Sequence, residues 1–238
     1  MARLPVGHRH VGLVLGLALL GGALLSGGQG ALALFTDTEQ VTATSTASGS
    51  FSATTYYLHN NPTPPTGNTV AQANLSMNTT APTATTLFNY DTNFDSAAGR
   101  RIQRGGSGAG ETTLARYQNW RGPSAGLLGQ NLNGTVTVEF WSAMPDFVQG
   151  TAGQVQVFLR DVDGVTGIAL EIANTTISAT DWQAGSSGWV KKSASFSVNH
   201  LLLLGHRLEV KLLVGSGADD DMLFAYDTTL YRSRVRLL

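Results

Sequence analysis

The 238-residue chain has no cysteine, 28 glycines and 13% charged residues, with 15 Lys and Arg against 16 Asp and Glu. Apolar residues at 42% exclude wholesale disorder, and a formal net charge of -1 removes the electrostatic basis for nucleic-acid binding. The missing cysteine excludes a disulfide framework, thiolate zinc sites and a Cys nucleophile, and Thr, Ser, Gly and Val at the expense of Lys and Glu favour strands over long helices.

Arg3, His8, Arg9 and His10 precede an apolar run, Val11–Leu25, and Ala31-Leu32-Ala33 supplies small residues at the -3 and -1 positions of a cleavage site. Residues 1–33 therefore read as a secretory signal peptide. The alternative is an uncleaved anchor helix, because Val11 to Leu34 carries only Ser26 and Gln29 as polar side chains. Either way the rest of the chain is expected outside the cytoplasm, extracellular or at the cell surface. Membrane contact is expected only through residues 11–34, if they are uncleaved.

Residues 34–57 form an amino-terminal strand segment. Thr42, Thr44, Thr46, Ser48 and Ser50 alternate with Val41, Ala43, Ala47, Gly49 and Phe51. That period of two belongs to a half-buried strand, but side chains this small bury little alone. The strand needs a sheet to pair with, in its own molecule or in a neighbour. Just before it, Ala33-Leu34-Phe35-Thr36-Asp37-Thr38-Glu39 resembles the mature start of TasA/camelysin-type proteins. The resemblance covers about twenty residues. It implies an exported β-sandwich that forms extracellular fibres by donating its first strand to the next subunit, with Val41, Ala43, Ala47 and Phe51 as inward residues. Some members are labelled metallopeptidases, but no H-E-x-x-H occurs here, and His59, His200 and His206 lack ligand partners at helical spacing.

Residues 58–84 hold Pro62, Pro64, Pro65 and Pro82 among Asn and Thr, and read as a spacer or a long surface loop. From 85 to 238 the pattern is continuous β. Val136, Val138 and Phe140 alternate with Thr137, Glu139 and Trp141; Val155, Val157 and Leu159 alternate with Gln156, Phe158 and Arg160. Ile168, Leu170 and Ile172 form the next inward set, then Ala194, Phe196 and Val198, then Leu208, Val210, Leu212 and Val214. Met222, Phe224 and Tyr226 share a face. Asp163-Gly164, Gly205-His206 and Gly215-Ser216-Gly217 mark turns between runs. The expected fold is all-β, a two-sheet jelly-roll sandwich behind the amino-terminal signal or anchor helix.

The stretch Trp189-Val190-Lys191-Lys192, Phe196, Gly205-His206-Arg207-Leu208 and Phe224-Ala225-Tyr226-Asp227-Thr228 resembles the closing strands of bacterial surface jelly rolls. These are similar in architecture to carbohydrate-binding modules. The resemblance implies a fold and leaves the ligand open.

Candidate chemistry is sparse. Trp141, Phe158 and Arg160, flanked by Glu139 and Lys211, are candidates for an aromatic sugar platform, unless the 85–130 segment or another subunit covers that face. Asp219, Asp220, Asp221 and Asp227 are candidate ligands for a structural calcium, as are Asp91/Asp95 and Asp161/Asp163, although turns also favour Asp. No other cofactor is expected. Glu139, Glu171 and Glu209 read as solvent-facing strand residues rather than a glycosidase pair. Arg232, Arg234 and Arg236 read as a charged edge that blocks aggregation. Arg100, Arg101 and Arg104 beside Gly105–Gly110 lack the G-K-S/T of a phosphate loop. The sequence thus points to a non-enzymatic structural or interaction protein, a fibre or surface-layer subunit that self-assembles by strand donation. An extracellular glycan-binding module is the alternative, and a secreted hydrolase the least supported.

Overall fold

The computed structural model describes residues 53–60, 75–85 and 99–238. The chain divides into two units, Met1–Ser48 and Gly49–Leu238. The first unit, the rest of the 41–51 strand with Phe51, and Asp91 and Asp95 lie outside the described residues, so the signal or anchor helix and the donor strand do too.

The strands are β1 (Thr54–Leu58), β2 (Leu75–Asn78), β3 (Gly99–Ile102), β4 (Tyr117–Ser124), β5 (Gln130–Ala143) and β6 (Gly153–Val162). They continue as β7 (Ala169–Ala179), β8 (Val190–Leu202), β9 (Arg207–Val214), β10 (Met222–Ala225) and β11 (Arg234–Leu237). The structure is all-β. The helical segments among the described residues are single 3-10 turns, Leu114–Arg116 and Pro145–Phe147. No helix among the described residues is long and apolar enough to cross a membrane.

Hydrogen bonding runs in the order β3-β10-β5-β11-β1-β2-β4-β9-β6-β7, with β8 along the other side of β5. All strand pairs are antiparallel except β2 with β4. The apolar phases of β5, β6, β8 and β9 meet in one core, as their period of two requires. Trp120 of β4 meets Tyr226 edge-to-face at 5.2 Å, and Phe140 lies 5.7 Å from Phe224. Along β10 the alternation separates Met222 and Phe224, in this core, from Leu223 and Ala225, in a smaller cluster behind it.

Three expectations change. First, the body does not begin at 85, and 58–84 is not wholly a spacer. β1 lies between β11 and β2, with Leu58 fully buried, and β2 sends Leu75 and Met77 into the core. Second, the inward phase expected for Ile168 and Leu170 fails, and both are exposed. Leu159 pairs with Ala173 and Arg160 with Glu171, so Ile172 is an extra residue that breaks the alternation. Third, the Arg stripe is not an edge. β11 is interior, between β5 and β1, and Arg234 forms an ion pair with Glu139.

A polar clasp fixes β1. Leu58 N–H donates to Ser233 O at 3.0 Å, and Asp227 N–H donates to Leu58 O at 3.0 Å. The Asp227 carboxylate lies 2.8 Å from His59 Nδ1 and accepts Asn60 N–H at 3.1 Å. The Asp227 hydrogen bond raises the His59 pKa above 6.5, against the opposing effect of burial. Burial would raise that of Asp227, but the His59 and Asn60 hydrogen bonds and the His59 charge together outweigh it, and the net direction is below 3.8. The His59 contribution is complete below its unfolded pKa and is lost as pH rises through the raised value. That of Asp227 is complete above its unfolded pKa and is lost as pH falls through the lowered value.

Two outcomes are expected in urea unfolding. Leu58→Ala costs about 2–5 kcal/mol, as for a core leucine, whereas a linker residue would cost almost nothing. His59→Gln reduces stability more at about pH 5 than at about pH 8, because the protonated imidazole gains more from Asp227 than the neutral one does.

Candidate functional site

The outward phase of β4, β9 and β6 is where period-two reasoning expects solvent. Instead it carries a buried charge cluster. Glu209 is fully buried and accepts Asn119 Nδ2 at 2.8 Å and Arg121 Nε at 2.7 Å on Oε2. Its Oε1 accepts Arg160, through Nε at 2.7 Å and through Nη2. Cross-strand register aligns Arg121, Glu209 and Arg160 in one row, and Asn119, Lys211 and Phe158 in the next. A carboxylate this deep persists only when its acceptor sites are filled, and four N–H donors from three side chains fill them.

The segment between β3 and β4 covers that face. Gly106 N–H donates to Val214 O at 2.9 Å, and a Cβ there would lie 2.3 Å from Leu213 Cδ2, so a larger residue would have to displace the buried Leu213 side chain. Lys211 is almost fully buried; its Nζ donates to Ala109 O at 2.9 Å and Glu111 O at 2.7 Å, 4.2 Å from the centre of the Tyr117 ring. Burial, and then the Arg160 charge, lower its pKa to about 8, against opposing effects of Glu209 and Glu111. Burial would raise the pKa of Glu111, but N–H and hydroxyl donors from Thr113 and Ser107 hold it at about 2. Beside this seat opens a cleft of about 380 Å³, with Glu111, Thr112, Tyr117, Arg160, Glu171 and Lys211 in its wall.

The five candidate glycan residues are not brought to one place. Phe158, Arg160 and Lys211 are neighbours, but Phe158 is buried and forms no open platform. Glu139 and Trp141 lie on β5, which β11, β1, β2, β4 and β9 separate from β6 in the sheet order, so they do not join the other three. Glu139 is buried, not solvent-facing, and is held by Lys191 Nζ at 2.7 Å and by Arg234. Burial would raise its pKa, but these two cations lower it. Half-buried Trp141 lies 5.0 Å from Tyr231, at 61°. Tyr231 lies 5.8 Å from Trp189, which Phe147 meets edge-to-face at 5.9 Å. Asp146 and Phe147, which shape this end, both have left-handed backbone (φ 54 and 55). Tyr231 and Phe147 escaped the sequence reading, because they come from turns whose position no periodicity gives, whereas Trp189 entered it with the closing-strand pattern and is buried here.

The candidate calcium ligands also separate. Asp219 accepts Ala152 N–H at 3.0 Å, and Asp221 accepts Arg101 Nε and Arg104 N–H, each at 3.0 Å. Asp220 lies 3.8 Å from Arg101 Nη2. Asp227 is at the other end of β10, with His59. Asp161 is buried and holds His200 Nε2 and His206 Nδ1, each at 2.8 Å. Asp163 caps its own turn through Val165 and Thr166 N–H. Among the described residues no group of three His, Cys, Asp or Glu could hold a metal ion.

No family model matches the chain, and no curated protein does. Solved structures similar to it include part of an aminopeptidase from a marine sediment archaeon, Thaumarchaeota archaeon. The TM-score is 0.51 at 10% identity, over 78% of this chain and 36% of that one. An α-amino acid ester hydrolase is similar at TM-score 0.51 and 9% identity, over 77% of this chain and 35% of that one. The likeness shows the fold alone, and the chain spans only about a third of the length of either hydrolase.

Removing the Glu209 carboxylate leaves two guanidinium groups without their shared partner. Glu209→Ala is expected to destabilise the fold by about 3–5 kcal/mol, read as a shift of the urea midpoint at unchanged slope. For Glu111 the folded pKa lies below the unfolded one, so its contribution is present above pH 4.5 and lost as pH falls towards 2. The acid-unfolding curve of Glu111→Gln lacks that portion of the fall.

Proposed function

We propose that the chain is an exported, surface-displayed, non-enzymatic subunit whose body is a two-sheet jelly roll, and that copies assemble by strand addition. The donor is the 41–51 segment, with Val41, Ala43, Ala47 and Phe51 on its apolar phase, as the resemblance to TasA/camelysin-type proteins implies. The observation that carries this reading is the edge at β7. Among the described strands β7 pairs only with β6, and past its bulge Ala173-Asn174-Thr175-Thr176-Ile177-Ser178-Ala179 has no charge and no proline. Natural edges are usually blunted by such residues, and an edge left bare is a template for another strand. The first described strand, β1 at Thr54–Leu58, follows the donor segment closely in the sequence.

Size-exclusion chromatography and negative-stain microscopy of the full chain test this. The wild type is expected to form oligomers or fibres. Thr44→Pro in the donor, and Thr176→Lys with Ser178→Lys on the edge, are each expected to abolish assembly without changing the melting temperature. A monomeric wild type, or assembly indifferent to both changes, would sink the proposal.

A second reading, an extracellular carbohydrate-binding module, is favoured by one observation. Trp141 and Tyr231 form an aromatic pair beside the Lys191–Glu139–Arg234 ion-pair row, the combination of ring faces and polar groups that a sugar needs. Under it, Trp141→Ala abolishes binding on a glycan array, while Phe158→Leu on the other face leaves it unchanged.

A further inference from the structure

One end of the molecule exposes more aliphatic surface than a self-contained fold accounts for. Three loops meet there, 125–129 between β4 and β5, 163–168 between β6 and β7, and 203–206 between β8 and β9. Their bases are tied together. Ala125 N–H donates to His206 O at 2.7 Å, and Gly205 N–H donates to Ala125 O at 3.0 Å. Gly164 sits so close that a Cβ would fall 2.3 Å from Gly205 O, and beneath them buried Asp161 holds both His200 and His206. The tips carry Leu127, Leu128, Val165, Ile168, Leu203 and Leu204, all exposed. Leu127 and Leu128 are 87% exposed and Val165 94%, so no described residue packs on them.

We infer that these three loop tips dock the domain onto a lipid bilayer with anionic headgroups, by inserting their aliphatic side chains into the headgroup–acyl boundary. Large exposed apolar patches mark protein or membrane contacts. Two features favour lipid. The side chains stand apart as nearly free projections, whereas a protein interface wants a close-packed centre with Tyr, Trp or Arg anchors, and the tips have none. A fluid acyl boundary accepts separate projections without complementary shape. The charges agree. The acid within the loops, Asp163, turns its carboxylate back onto Val165 N–H at 2.7 Å and Thr166 N–H at 3.2 Å. Arg207 is exposed at the base, next to His206, where it meets headgroup phosphates. The rigid base makes insertion cost little ordering, because the tips are already positioned.

The native absence of cysteine allows a position-specific test on the full chain, independent of any contact through residues 11–34. Leu128→Cys and Val165→Cys, each labelled with an environment-sensitive fluorophore, are mixed with phosphatidylcholine vesicles containing phosphatidylglycerol. Ser195→Cys, exposed on β8, is the control. The expected result is a blue shift at both tip positions and none at the control. The shift weakens in vesicles of phosphatidylcholine alone and at high salt. Leu127→Ser with Leu128→Ser is expected to lower the vesicle-bound fraction at least severalfold with an unchanged melting temperature. No shift with vesicles overturns the inference. A tip shift that needs no vesicles and grows with protein concentration also overturns it, and assigns the patch to a second copy.

Discussion

The continuity of the sheet depends on the pairing of a five-residue strand, β1, with β11 on one side and β2 on the other. The register Tyr57↔Asn78 and Leu58↔Met77 is the link through which strands built around β5 join strands built around β9. Buried backbone groups must be paired, and where β1 ends this short seam is closed by Leu58 in the core and, one residue on, by the His59–Asp227 clasp. The seam makes Thr54–Leu58 an interior strand of the body.

Charge is organised to hold surfaces together. Glu209 gathers Arg121, Arg160 and Asn119, while Lys211 reaches two carbonyls of the covering segment, so the loop between β3 and β4 is seated by ionic and polar contacts instead of apolar ones. On the β5 side Glu139 does the same for β8 and β11 through Lys191 and Arg234. Breaking such a pair leaves an uncompensated charge, which makes these carboxylates more costly to lose than their number suggests. The β7 edge, which has no second strand partner among the described residues, and the aliphatic tips lie outside this network, and both proposals rest on features that the ionic scaffold leaves uncommitted.

Much of the fold is legible in the sequence, because β5, β6, β8 and β9 are long enough for the period of two to repeat several times. β1 falls almost wholly within the 34–57 strand segment, but its place in the sheet is not legible, and neither is β2: four or five residues beside a Pro-rich stretch give no repeat, and their place is fixed by partners far away in the chain. Ile172 shows another limit, since a single bulge reverses the phase that alternation predicts. The candidate sites were less legible for a related reason. Alternation tells which residues share a face, so Phe158, Arg160 and Lys211 do fall together. It does not tell what lands on that face, so Glu209 and Glu139 look solvent-exposed until the 103–116 segment, Lys191 and Arg234 are in position. The three histidines have no mutual spacing to notice, yet each finds an aspartate far away in the chain.

Strand addition between copies is tested most directly by cross-linking. With no native cysteine, Ala43→Cys in the donor can be combined with Thr175→Cys, Thr176→Cys or Ile177→Cys on the β7 edge. A disulfide forms only when Cα atoms come within about 4.4–6.8 Å, the reach of adjacent strands. Under mild oxidation one of these pairs is predicted to give a ladder of disulfide-linked oligomers that collapses to monomer on reduction. Monomers closed by an intrachain bond, or no bond in any pair, would contradict assembly in trans.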